Sequence, residues 1–145
     1  MALFKFTKNI IAGKEIEIFN YGKHIRDFTY VTDIANGIIA VDQNAPTGNL
    51  DWDPMNPDPS SSFAPFEIYN IGNSEPVELM TYVSLIEEFL GKKAKIKFLP
   101  IQQGDVEDTI SDITKISKLG YQPVINVREG VKNFLDWYLA YYDSK

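Results

Sequence analysis

The chain alternates between stretches of helical and of extended periodicity. Leu3, Phe6, Ile10 and Ile11 recur at helical intervals and predict an amphipathic helix, with Gly13 where a left-handed C-cap would end it. Glu15 to Asn20 alternates polar and apolar positions, the signature of a strand with one buried face. Tyr21-Gly22-Lys23-His24 reads as a turn. Thr29 to Val31 is extended, and Thr32 or Asp33 can cap a helix whose apolar face is Ile34, Ile38 and Val41.

From Asp42 to Pro65 the periodicity stops. Pro46, Pro54, Pro57, Pro59 and Pro65 remove backbone donors and block helix, so roughly residues 43–65 form a long loop, with Trp52 and Met55 placed to staple it to the body. Phe66 to Ile71 then reads as a buried strand ended by Gly72. Pro76 suits the first turn of a helix whose inner stripe is Leu79, Val83, Ile86 and Leu90, and Gly91 ends it. Lys95 to Leu99 alternates as a strand. Asp112 can cap a short helix carrying Ile113, Ile116 and Leu119. Asn126 with Glu129 three residues on resembles a capping box, opening a final helix that buries Val127, Val131, Phe134, Leu135, Tyr138 and Tyr142. Short strands between packed helices imply an α/β class, with the character of a small α+β lobe. No internal repeat is present.

Composition narrows the chemistry. At 145 residues the chain can form one modest domain. Its net charge of −6 argues against non-specific binding to nucleic acid or anionic lipid. There is no cysteine, which removes disulfides, thiolate metal sites and thiol nucleophiles, and suits a cytoplasmic protein. Apolar runs are too short to insert in a membrane, and the N-terminus lacks the apolar stretch of a secretory signal. His24 is the sole histidine, and Arg26 and Arg128 are the only arginines. Asp51, Asp53, Asn56 and Asp58 lack the glycine and terminal glutamate of a calcium loop, so no metal is assigned.

Arg26 stands behind the first strand, on the approach to a helix. A planar, always-charged fork there suits a phosphate or diphosphate; a surface ion pair with Asp27 or Asp33 is the plainer alternative. Asp33 itself is expected to cap its helix, and His24 to be a turn residue. Asp105 follows Gly104 and can serve as a turn residue capping Val106 or Glu107. For Phe19, core packing is the ordinary fate.

Three stretches taken together resemble one family: Arg26-Asp27-Phe28-Thr29-Tyr30-Val31-Thr32-Asp33; Ile68-Tyr69-Asn70-Ile71-Gly72-Asn73-Ser74-Glu75-Pro76-Val77-Glu78-Leu79; and Gln103-Gly104-Asp105-Val106 with Leu119-Gly120-Tyr121-Gln122-Pro123 and Trp137-Tyr138 behind it. They are similar to the extended short-chain dehydrogenase/reductase epimerases. The proline-rich insert, with Asp51-Trp52-Asp53-Pro54, resembles the UDP-glucuronate 4-epimerase branch. The resemblance implies the C-terminal substrate lobe of a Rossmann-type, NAD-dependent enzyme, spanning residues 1–145. It implies that Arg26 holds the diphosphate of a UDP-sugar, Phe19 flanks the uracil, Asp105 meets the ribose, and Leu3 lies in a stretch covering the nucleotide. Gln102 stands where many relatives carry an arginine, so it can hydrogen-bond but brings no charge.

The same resemblance places the catalytic and NAD-binding half outside this chain. No Gly-x-Gly-x-x-Gly run occurs, and no catalytic residue is assigned. The expected parent is a homodimer paired through that missing half, and the fragment alone is expected to be inactive. Two alternatives remain at this level: a stand-alone nucleotide-sugar binding or interaction module, and the equivalent lobe of a related dehydratase or decarboxylase.

Overall fold

The structure is a computed structural model and describes residues 2–142. In chain order the elements are α1 (Ala2–Ile11), β1 (Glu15–Ile18), a 3-10 turn (Phe19–Gly22), β2 (Ile25–Asp27), α2 (Val31–Asp42), β3 (Pro76–Glu78), α3 (Leu79–Leu90), β4 (Lys95–Phe98), α4 (Thr114–Ser117) and α5 (Val127–Tyr142). β1 and β4 pair in parallel, Glu15 opposite Lys95 through Ile18 opposite Phe98. β2 and β3 pair antiparallel, with Arg26 opposite Val77. The class is α/β, as the periodicity predicted.

The core forms where the apolar stripes of α1, α3 and α5 meet the inner face of β1. Ile10, Ile16, Ile18, Val83, Ile86, Val131 and Leu135 are buried together there. Each such side chain removed from water is worth about 1.5–3 kcal/mol. The helix ends follow their local signals. Gly91 adopts the left-handed conformation that closes α3, and Asn126 Oδ1 accepts the Glu129 N–H at 3.0 Å to open α5.

Three local expectations change here. Phe66 to Ile71 does not form a ladder: its pairing is limited to a single bridge from Glu67 to Ser61 and a bond from the Ile68 N–H to the Ser60 carbonyl. A strand needs a neighbour for its backbone groups, and among the described residues none lies alongside; Phe66 and Ile68 stay about half exposed. Pro76 opens β3 instead of a helix, which a proline tolerates at a strand's first residue. α2 begins at Val31, so Thr32 and Asp33 lie inside its first turn and neither caps it. Asp33 is fully buried, and its Oδ2 accepts the Ile125 N–H at 3.0 Å, tying α2 to the segment before α5.

The outer half is built differently. α2 lies on Ile71 through Gly37, where an added Cβ would come within 2.7 Å of the isoleucine side chain. Its Ile38 and Ile39 remain exposed. The proline-rich loop is held by its own side chains: Asp58 Oδ1 accepts the Ser60 N–H at 2.8 Å, and the Trp52 indole N–H donates to the Asp58 carbonyl at 3.1 Å. Trp52 also tilts against Phe63, so it staples the loop to itself; Met55 is 90% exposed and fastens nothing.

Candidate functional site

The C-terminal ends of the parallel pair β1 and β4 point to one edge of the molecule. In α/β structures this is where ligands are held, because loops leaving parallel strands converge there. β1 runs into Phe19 and the 3-10 turn, where Asn20 and Tyr21 take left-handed φ values of 49° and 50°. The Tyr21 N–H donates to the Leu99 carbonyl at 3.0 Å, holding the turn beside the end of β4. β4 then releases residues 99–110, a loop whose 101–110 stretch is exposed throughout.

β2 supplies the groups that hold this loop. Arg26 Nη1 donates to the Glu107 carbonyl at 2.6 Å and to the Ile25 carbonyl at 3.0 Å. Its Nη2 donates to the Val106 carbonyl at 2.7 Å and to Asp105 Oδ1 at 3.2 Å. Asp105 Oδ1 also accepts the Val106 N–H at 2.9 Å, so this carboxylate caps its own turn. Its other oxygen lies 3.3 Å from His24 Nε2. His24, expected as a turn residue, is instead buried, and its Nδ1 is 3.1 Å from the Glu107 carbonyl. The signal available for it in the sequence was its place one residue before a strand, where side chains turn inward alternately.

Among the five residues assigned from sequence, the fold brings Arg26 and Asp105 into direct contact. Gln102 is nearby on the same loop: it is exposed, and its carbonyl accepts the Asp105 N–H at 3.1 Å across a turn in which Gly104 has φ of 83°. Phe19 lines a separate groove of about 450 Å³ between α1 and β1, with Lys5, Phe6, Asn9 and Glu17. Leu3 lines another, mostly apolar cavity of about 300 Å³, with Tyr30, Phe134 and the stacked pair Phe28 and Tyr82, whose rings are 4.0 Å apart. Burial there pushes the Tyr82 phenol up.

Two further features escaped the sequence reading. Asp27 Oδ2 accepts the N–H groups of Ser74 and Ser111, each at 3.0 Å, joining three distant segments. A Tyr-x-x-x-Lys spacing also occurs, Tyr141 to Lys145; Tyr141 stacks on Trp137 near the end of α5, and Lys145 lies outside the described residues. A dinucleotide pyrophosphate requires a glycine-rich turn opening a helix. α2 opens with the buried Asp33 carboxylate, and α3 and α5 follow Glu78 and Asn126, so these helix starts do not fit that group.

Comparison with known proteins gives this arrangement its likenesses. Residues 1–72 match the model of the NAD dependent epimerase/dehydratase family. The chain is 47% identical over 143 residues to an uncharacterized 37.6 kDa protein of Escherichia coli O111:H-, covering 98% of this chain and 43% of that one. It is 39% identical to a probable UDP-glucuronate 4-epimerase of Rhizobium meliloti, covering 95% of this chain and 41% of that one. The fold superimposes with a TM-score of 0.76 on the Bacillus cereus UDP-glucuronic acid 4-epimerase in complex with UDP-glucuronic acid and NAD, at 26% identity over 98% of this chain and 40% of that one. The chain is thus similar, along nearly its whole length, to proteins described as UDP-glucuronate 4-epimerases, and its first half matches the NAD dependent epimerase/dehydratase model. It spans about two fifths of the length of the curated relatives it matches.

Proposed function

We propose that this chain is the substrate-binding portion of an NAD-dependent UDP-sugar 4-epimerase that interconverts UDP-glucuronate and UDP-galacturonate in the cytoplasm. The observation that carries the reading is the likeness, along nearly the whole chain, to proteins described as UDP-glucuronate 4-epimerases. The meeting of Arg26 with Asp105 at the carboxyl edge of β1 and β4 supports it, since both belong to the motifs of that resemblance.

In such an enzyme NAD supplies reversible hydride exchange at the hexose C4. This chain's part is to grip the nucleotide and leave the hexose free to turn. The groove beside Phe19 offers an aromatic edge to a base, with Asn9 and Glu17 on its walls. Arg26 meets a diphosphate by exchanging the Val106 carbonyl and Asp105 for phosphate oxygens at Nη2, while Nη1 stays on Glu107 and Ile25. Asp105, released on that side, accepts from ribose hydroxyls, and Gln102 lies one turn away.

NAD and the proton-transferring groups belong, on this reading, to the rest of a longer protein, through which the parent also dimerises. The unpartnered Phe66–Ile71 segment and the exposed Ile38 and Ile39 of α2 fit a surface made to be covered. Alone, the chain binds UDP weakly, turns over no UDP-glucuronate and carries no tightly held NAD through purification.

The test is titration of UDP into this chain, followed by tryptophan fluorescence or amide NMR shifts. Arg26→Ala is expected to weaken binding by about tenfold or more, the loss of a charge-assisted contact. Unchanged affinity in the variant removes Arg26 from the site, and no binding to the unsubstituted chain removes the reading.

A further inference from the structure

His24 is only 4% exposed, yet both of its ring nitrogens face oxygens. Nδ1 lies 3.1 Å from the Glu107 carbonyl, and Nε2 lies 3.3 Å from Asp105 Oδ2. A carbonyl and a carboxylate only accept. A neutral imidazole has one N–H and one lone pair, so either tautomer turns a lone pair on one of these oxygens. A neutral ring that donates from Nδ1 to Glu107 leaves the buried Nε2 without a hydrogen-bond partner, its lone pair toward the carboxylate; only the imidazolium puts a proton there.

The same carboxylate has a second cation. Arg26 Nη2 sits 3.2 Å from Oδ1, so Asp105 gives one oxygen to each partner. If Arg26 left for an anion while the ring was neutral, Asp105 would remain charged, two-thirds covered and uncompensated. With the ring charged, Asp105 keeps a cation and the trio carries a net positive charge toward the anion.

We infer that His24 is a positioning residue of the nucleotide-sugar site: as the imidazolium it holds Asp105 and the 105–107 loop, freeing Arg26 Nη2 to exchange Asp105 for a ligand diphosphate. This rests on the reading of Arg26 as a phosphate ligand. Other charged residues on the elements around the ring are Lys23 beside it, Glu107 and Asp108 on the loop, and Glu78 of β3, which pairs with Ile25. Asp105 is the carboxylate within ion-pair distance of the ring, 3.3 Å from Nε2, once the ring is protonated.

The consequence is an affinity that changes with pH. UDP-glucose is the probe, because its diphosphate is fully esterified and keeps its charge over the pH range used. Its binding to this chain is expected to be roughly tenfold tighter at about pH 5.5 than at about pH 8, and His24→Gln or Asp105→Asn should flatten the profile. A variant that keeps the slope overturns the inference. A second readout needs no ligand: amide exchange at Thr109, whose N–H donates to the Ile25 carbonyl at 3.1 Å, reports the order of the loop. In the unsubstituted chain the protection of this amide, its exchange relative to the unstructured rate at each pH, should change over the same pH interval as the ring 15N shifts of this lone histidine, and changes over different intervals overturn the positioning role. If UDP-glucose fails to bind at any pH, the site reading fails, and the exchange measurement still decides whether His24 positions the loop.

Discussion

The molecule carries two long, mostly exposed loops held by opposite means. The proline-rich loop is fastened largely from within. Asp53 and Asp58 each accept a backbone N–H two residues on, and Lys115 of α4 pins it from outside by donating to the Ser60 carbonyl at 3.0 Å. Residues 99–110 contain little of this local chemistry beyond the Asp105 turn. That loop is fastened by Arg26 of β2, by His24 just before it and by backbone bonds of Ile25 to Glu107 and Thr109, across about eighty positions of sequence. A loop held by itself keeps its shape whatever its neighbours do. A loop held by a shared charge cluster moves when any member of the cluster finds another partner, as binding requires.

The largest break in this contrast is expected from Arg26→Ala. It removes two bonds to loop carbonyls and the ion pair to Asp105, and should lower stability by about 2 kcal/mol in urea unfolding. Amide exchange at Thr109 should accelerate while that at Ser60 holds; equal acceleration at both would mean that the two loops are not independently fastened.

The converse is Lys115→Ala. It removes the contact to Ser60, an ion pair to Glu67 at 3.4 Å and the cation over the Tyr69 ring. A loss of about 1 kcal/mol is expected, since the lysine is partly exposed. Exchange at Ile68 should speed, with Thr109 unchanged. Tyr69 also donates to Glu67, which holds that carboxyl below its ordinary value and pushes the phenol up to about 12.

The smallest effect is that of acid on the proline-rich loop. Bonds from the Ser60 N–H and hydroxyl hold the Asp58 carboxyl below its ordinary value of 3.8. A carboxylate depressed on folding stabilises above its unfolded value, and that contribution disappears as pH falls through the folded one. Protection of the Ser60 amide, its exchange relative to the unstructured rate at each pH, should therefore be steady from neutrality down to about pH 4 and fall below it. A loss of protection that begins near neutrality would show that some group other than this carboxylate holds the turn.

Local signals had already placed most of the framework. The stripe Leu79, Val83, Ile86 and Leu90, the glycine closing α3 and the Asn126 cap are near-neighbour effects, set by helical spacing and by backbone groups a few residues away. Where a local reading went astray, a distant partner was involved. Asp33 looks like a cap until Ile125 is brought to it, and Phe66 to Ile71 looks like a strand until the absence of a neighbouring ladder is seen. Arg26 and Asp105 were each legible as candidates through their motifs, and their contact was not.

The sequence by itself determined most of the helices, the paired strands β1 and β4, and which residues carry chemistry, because periodicity, proline and capping act over a single turn or strand. Only the tertiary structure decided that His24 is buried, that Arg26 spends its amino groups on the 105–107 loop, and that one carboxylate answers to both. Those partners lie 79 to 83 positions apart, and Coulomb attraction joins such groups only after the packing of β1, β2 and β4 has brought them within reach.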